Sequence, residues 1–107
     1  MTVPSVPAAE VPADASMLDV REAHEWNAGH APDARHLPMS ELTARLAEVP
    51  TDDPLYVVCR SGGRSGQVVQ FLVAQGRTAV NVDGGMQQWA ASGRPVVADG
   101  GGAPEIV

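Results

Sequence analysis

Leu55-Tyr56-Val57-Val58-Cys59-Arg60-Ser61-Gly62-Gly63-Arg64-Ser65 reads as a strand that runs into a glycine turn and then a helix. Its first four residues are aliphatic or aromatic and uncharged, which suits a strand covered on both faces, hence central and parallel. Cys59 stands at the carboxyl end of that strand. The adjacent Gly62 and Gly63 open backbone angles closed to other residues, and small neighbours leave the inside of the turn free. Successive N–H groups can then converge above a helix N-terminus as an anion-binding nest. There the N–H groups, the helix dipole, Arg60 and Arg64 all favour a thiolate, which predicts a lowered Cys59 pKa. A lone cysteine is usually a small buried hydrophobe, and paired glycines are common in turns. The conjunction of strand end, glycine curl, two arginines and following helix favours a nucleophile.

Strands and helices alternate outward from this stretch. Residues 17–20 (Met-Leu-Asp-Val) predict a strand, and residues 22–28 a short helix closed by Gly29. Pro32 and Asp33 mark a turn, and Pro38 closes a second extended piece. Ser40 is placed to cap a helix over residues 41–48, with Leu42, Leu46 and Val49 at helical spacing and Pro50 beyond its end. A helix is expected over residues 65–75, with Val68, Val69, Leu72 and Val73 on its apolar face. A strand at 78–82, a turn at Gly84-Gly85, a helix at 86–91 and an extended piece at 95–97 complete the pattern. Pro4, Pro7 and Pro12 exclude a long helix from residues 1–16 and leave room for an edge strand near residues 3–6. Residues 98–107, with three successive glycines, are expected to form a flexible tail. The expectation is one domain over residues 17–97, an α/β fold with a mostly parallel sheet. Ligands of such sheets bind outside the carboxyl ends of the strands, where Cys59 lies.

The composition narrows the function. Of 107 residues 44% are apolar, an ordinary globular content. The net charge is −6 and all seven basic residues are Arg, which disfavours nucleic-acid binding. No acidic residue lies between Asp53 and Asp83, whereas Arg60, Arg64 and Arg77 do, so an anion nearing the loop meets locally positive charge. No apolar run approaches the ~20 residues that span a bilayer, and the N-terminus lacks a basic start followed by an apolar stretch. The expectation is a cytoplasmic protein without a membrane partner. The single cysteine excludes an internal disulfide and suits a reducing compartment.

Other residues read more plainly as structure. His24, His30 and His36 are spread over a helix and a turn without the spacing of a metal site, and no metal is expected. Trp26 and Trp89 fit core or rim packing, and Asp83 a turn. Asp19 and Arg21 are expected to brace the loop from beneath as an ion pair, a supporting role rather than a catalytic one.

Cys59-Arg60-Ser61-Gly62-Gly63-Arg64-Ser65 resembles the active-site loop of rhodanese-homology sulfurtransferases. The resemblance extends to Leu18-Asp19-Val20-Arg21 with Glu25-Trp26, to Gly29-His30-Ala31-Pro32-Asp33-Ala34 with Leu37-Pro38, and to Val82-Asp83-Gly84-Gly85-Met86 with Trp89. It covers about residues 17–97. Asp33 departs from the family's usual Gly and Ala31 from a larger aliphatic; Asp tolerates left-handed geometry, so the turn is expected to survive. The resemblance implies a rhodanese-like fold, with a five-stranded parallel sheet flanked by helices. It also implies sulfur transfer through a Cys59 persulfide, with residues 60–65 binding the substrate and stabilising the adduct, and with no cofactor. The expected partners are a small anionic donor (thiosulfate or a persulfide) and a thiophilic acceptor such as cyanide, a thiol or a protein.

Loop length separates this chemistry from phosphate chemistry. Arg64 follows Cys59 in a Cys-x4-Arg spacing, one residue shorter than the Cys-x5-Arg of the cysteine phosphatases, including those that share the rhodanese fold. The tighter curl suits the single outer sulfur of a persulfide better than a tetrahedral phosphate. The alternatives are a non-catalytic binding or sulfur-carrier module and, less favoured, a phosphatase or arsenate reductase.

Overall fold

The structure is a computed structural model that describes residues 3–107. Met1 and Thr2, the start of the expected N-terminal segment, lie outside the described residues. Five parallel strands, β1 (Ser5–Pro7), β2 (Ser16–Asp19), β3 (Arg35–His36), β4 (Leu55–Val58) and β5 (Ala79–Asp83), form one sheet in the order β1-β5-β4-β2-β3. Three helices flank it: α1 (Ala23–Ala28), α2 (Gly63–Ala74) and α3 (Gly85–Ala91). The α/β fold with a five-stranded parallel sheet is the one the sequence predicts. The edge strand near residues 3–6 is realised as β1, paired with β5 from Ser5 opposite Asn81.

Side chains alternate across a strand, so an uninterrupted apolar strand must be covered twice. Leu18 and Val57 join a cluster with Val68, Val69 and Leu72 of α2, whereas Met17, Val58 and Val82 join one with Met86 and Trp89 of α3. Leu55-Tyr56-Val57-Val58 is therefore the sandwich filling its composition suggests, with Val57 and Val58 each fully buried on opposite faces. No helix among the described residues is long and apolar enough to cross a membrane.

One element differs. The helix expected over residues 41–48 is instead a pair of short 3-10 turns, Met39–Glu41 and Leu46–Glu48, joined by a hydrogen-bonded turn. Ser40 does not cap it; its hydroxyl donates to the Glu22 carboxylate at 3.0 Å. Leu42 and Val49 still face the core, each three residues after the start of a 3-10 turn, the period at which 3-10 side chains eclipse. Burial of Leu42 and Val49 is met by the two 3-10 turns, and such packing overrides the helical spacing of the sequence.

Residues 98–107, expected to be flexible, are placed against the body. Val97 and His30 exchange backbone hydrogen bonds at 2.9 Å, Glu105 N–H donates to Ala28 O at 2.8 Å, and Ile106 packs against the second cluster. The close approach uses Gly29, where a Cβ would stand 2.4 Å from Glu105 O.

Candidate active site

The carboxyl ends of β2, β4 and β5 converge on residues 59–65. Cys59 leaves β4 with 1% of its surface exposed, and α2 begins at Gly63, so the loop is a single curl between strand and helix. Gly62 sits at φ +114°, a left-handed conformation that favours glycine. This geometry turns Gly62 N–H onto the Cys59 Sγ at 3.1 Å. The Ser65 hydroxyl approaches the same sulfur at 3.3 Å from the first turn of α2.

The opposite face of the curl is held by α3. Met86 N–H donates to Cys59 O at 2.8 Å and Gln87 N–H to Arg60 O at 3.0 Å, using N–H groups that the start of a helix leaves free. Gly84 and Gly85, at φ +81° and +59°, make this turn, and a Cβ on Gly85 would lie 2.5 Å from both of those carbonyl oxygens. The pair is thus in contact with the loop as well as forming a turn.

Burial pushes the Cys59 thiol up. Hydrogen bonds from the Ser65 hydroxyl and from the N–H groups of Ser65, Gly62 and Ser61 outweigh it, and the net direction is down. The sequence attributed part of this effect to the arginines, but their side chains are engaged elsewhere. Arg64 donates to both carboxylate oxygens of Glu25 at 2.7 and 2.8 Å, and Arg60 Nε donates to Val107 O at 3.1 Å. The Arg64 ion pair, with Glu22 N–H as a further donor, holds the Glu25 carboxyl down at about 2 against the pull of burial.

At the end of β2, Asp19 and Arg21 are both fully buried. Asp19 accepts from Arg21 N–H, Nε and Nη2, and Nη2 also donates to Gly29 O. The pair therefore joins the end of β2 to the end of α1. Trp26 lies between His30 and His36, its ring stacked on theirs at centroid distances of 3.6 and 4.8 Å. Each histidine also binds a backbone carbonyl, Trp26 O for His30 and Arg21 O for His36, which fits structural histidines.

The loop thus directs one N–H group and one hydroxyl at the Cys59 sulfur. A family model described as a rhodanese-like domain matches residues 8–92. The chain belongs to the rhodanese-like domain family. A relative described as a sulfurtransferase, from Allochromatium vinosum, is 40% identical over 89 residues, covering 82% of this chain and 83% of that protein. YqhL of Bacillus subtilis is 41% identical over 76 residues, which are 70% of this chain but only 60% of that protein. The structure of a rhodanese-related protein from Thermoplasma volcanium is 35% identical with a TM-score of 0.82, covering 88% of this chain and 97% of that one.

This rhodanese-like domain brings Cys59, Arg60, Ser61, Gly62, Gly63, Arg64 and Ser65 together by adjacency, while Asp19 stands opposite Val58 in the sheet and Arg21 bonds to Asp19 and Gly29 rather than to the loop. Two members of the site were not singled out by the sequence. Glu25 was read only as part of a motif, yet it holds Arg64. Asn81, a polar residue in the apolar run Ala79–Asp83, touches both Ser65 and Gly62. A buried amide in a strand was the available signal.

Proposed function

We propose that this rhodanese-like domain is a sulfurtransferase that carries sulfane sulfur on Cys59. In the first half-reaction the Cys59 thiolate attacks the outer sulfur of thiosulfate. The new S–S bond forms as the donor's S–S bond breaks, and sulfite leaves with the bonding pair. A thiol persulfide would serve in the same way, with the thiolate leaving. In the second half-reaction an acceptor attacks the outer sulfur of the Cys59 persulfide; cyanide leaves as thiocyanate and Cys59 returns as thiolate. This is covalent catalysis by a ping-pong route. With one cysteine in the chain, the sulfur must pass to an external acceptor.

The observation that supports this reading best is the buried Cys59 sulfur held by Gly62 N–H and the Ser65 hydroxyl within a six-residue Cys-to-Arg loop. The donors stabilise a sulfur anion, and the small curl suits one added sulfur atom. Arg60, exposed at the rim, is the cation positioned to draw in an anionic donor. Arg64, neutralised by Glu25, is assigned the role of tying the loop to α1. A cytoplasmic setting, in which thiols stay reduced, suits this chemistry.

The test is the intact mass of the protein after incubation with thiosulfate, without reductant, beside Cys59→Ser. Gain of one sulfur atom, absent from the variant and removed by cyanide as thiocyanate, supports the reading. Failure to load from both thiosulfate and a thiol persulfide overturns it. A binding module then becomes the better reading, or a phosphatase if aryl phosphate is hydrolysed.

A further inference from the structure

Asn81 is 94% buried in the middle of β5, paired with Val57 of β4 and flanked in sequence by Val80 and Val82. An amide in such a place is costly unless its polar atoms are satisfied. Its Nδ2 lies 3.3 Å from Gly62 O and its Oδ1 2.5 Å from Ser65 Oγ. Gly62 O only accepts, which fixes the amide with its nitrogen on that side. Oδ1 therefore faces Ser65 and can only accept, so the Ser65 hydroxyl must donate to it.

Ser65 has one hydroxyl proton and two further acceptors within reach, the Cys59 Sγ and Gly62 O, both at 3.3 Å. The three acceptors compete, Asn81 Oδ1 being the nearest and the Cys59 Sγ the one that gains charge. When Cys59 holds its proton, S–H donates to Ser65 Oγ, and Ser65 donates onward to Asn81. When Cys59 is a thiolate, Ser65 turns its proton to the sulfur and Asn81 Oδ1 loses that donor. We propose that Asn81 is a positioning residue that acts through Ser65 to set the balance between thiol and thiolate at Cys59, favouring the thiol.

The consequence for turnover rests on the sulfurtransferase reading. A thiolate stabilised without limit is a good leaving group but a poor nucleophile. Asn81 offsets part of the stabilisation from Ser65 and so keeps Cys59 reactive towards the donor.

The charged groups around the loop are Arg60 and Arg64, Glu25 of α1 facing Arg64, the Asp19–Arg21 pair at the end of β2, and Asp83 at the end of β5. None changes in the variants below, so their fields cancel in the comparison. The rate of Cys59 alkylation by iodoacetamide is followed against pH in wild type, Asn81→Ala, Ser65→Ala and the double variant, with thiolate ultraviolet absorbance as a second reading. Asn81→Ala is expected to lower the midpoint by about 0.5 pH unit or more, Ser65→Ala to raise it, and the Asn81 effect to vanish without Ser65. Asn81→Leu, of similar shape but without hydrogen-bonding groups, serves if Ala unfolds the chain. No shift, a rise, or an equal shift in the Ser65→Ala background overturns the proposal. Alkylation needs no sulfur donor, so a failure of sulfur loading and a failure of this proposal are read separately.

Discussion

Glu25 holds both terminal nitrogens of Arg64, at 2.7 and 2.8 Å, and so fastens α1 to the first turn of α2. The residues are 39 apart in sequence, so the bond ties the loop to a distant element of the chain. Arg64 is 36% exposed, so solvent screens the pair. Glu25→Gln is expected to cost about 1 kcal/mol in urea unfolding at neutral pH.

The same pair predicts a dependence on pH. Glu25 is lowered from 4.5 to about 2 in the folded chain. A depressed carboxyl stabilises fully above its unfolded value and loses that contribution as pH falls through the folded one. The stability difference between wild type and Glu25→Gln should therefore be constant above pH 4.5 and shrink as pH approaches about 2. An unchanged difference across that window would argue against the ion pair as its source.

Cys59 should react as a thiolate at lower pH than an ordinary thiol. Its pKa lies below the usual 9.0, because the Ser65 hydroxyl and the loop N–H groups outweigh burial. The alkylation profile of the wild type is expected to have its midpoint below 9.0, and Ser65→Ala to move it upward. Folding stability follows the same sign. The contribution of Cys59 is complete above the unfolded thiol value and declines as pH drops through the folded one.

Asp19→Asn tests the buried brace. The pair has no solvent exposure, and removing one partner leaves an uncompensated guanidinium in the interior. Loss of about 3–5 kcal/mol is expected, visible as a large fall in the urea midpoint. A loss under 1 kcal/mol would show that the pair is not a brace.

Two glycines of the site should behave oppositely. A Cβ on Gly85 would meet Cys59 O and Arg60 O at 2.5 Å, at a φ of +59°, whereas nothing lies within 4 Å of a Cβ on Gly63. Gly85→Ala is expected to destabilise the fold and abolish sulfur loading. Gly63→Ala should fold at least as stably, with a gain of up to about 1 kcal/mol from the stiffer unfolded chain. Thermal melts of the two variants, followed by the mass assay, check both.

Local features were legible in the sequence, and contacts across the fold were not. Leu55-Tyr56-Val57-Val58 announced a central strand because both faces needed cover. Gly62-Gly63 announced the curl because the backbone needed φ +114°. The segment after Ser40 misled because Leu42, Leu46 and Val49 fit a helical face as well as they fit two 3-10 turns. Helix propensity over so short a span yields to packing. Arg64 was readable as a cation near Cys59, but its partner Glu25 lies on another element. Asn81 likewise acquires its meaning only when β5 is laid beside β4.

The depth of Cys59 has a consequence for what can be handed over. With 1% of its surface in solvent, the anchoring atom is shut off from bulky partners. An S–S bond would place the added atom about 2 Å from the Cys59 Sγ. A large acceptor would then meet cargo without reaching its mooring. The protein end of the bond would be shielded from attack, and discharge would be directed to the outer atom.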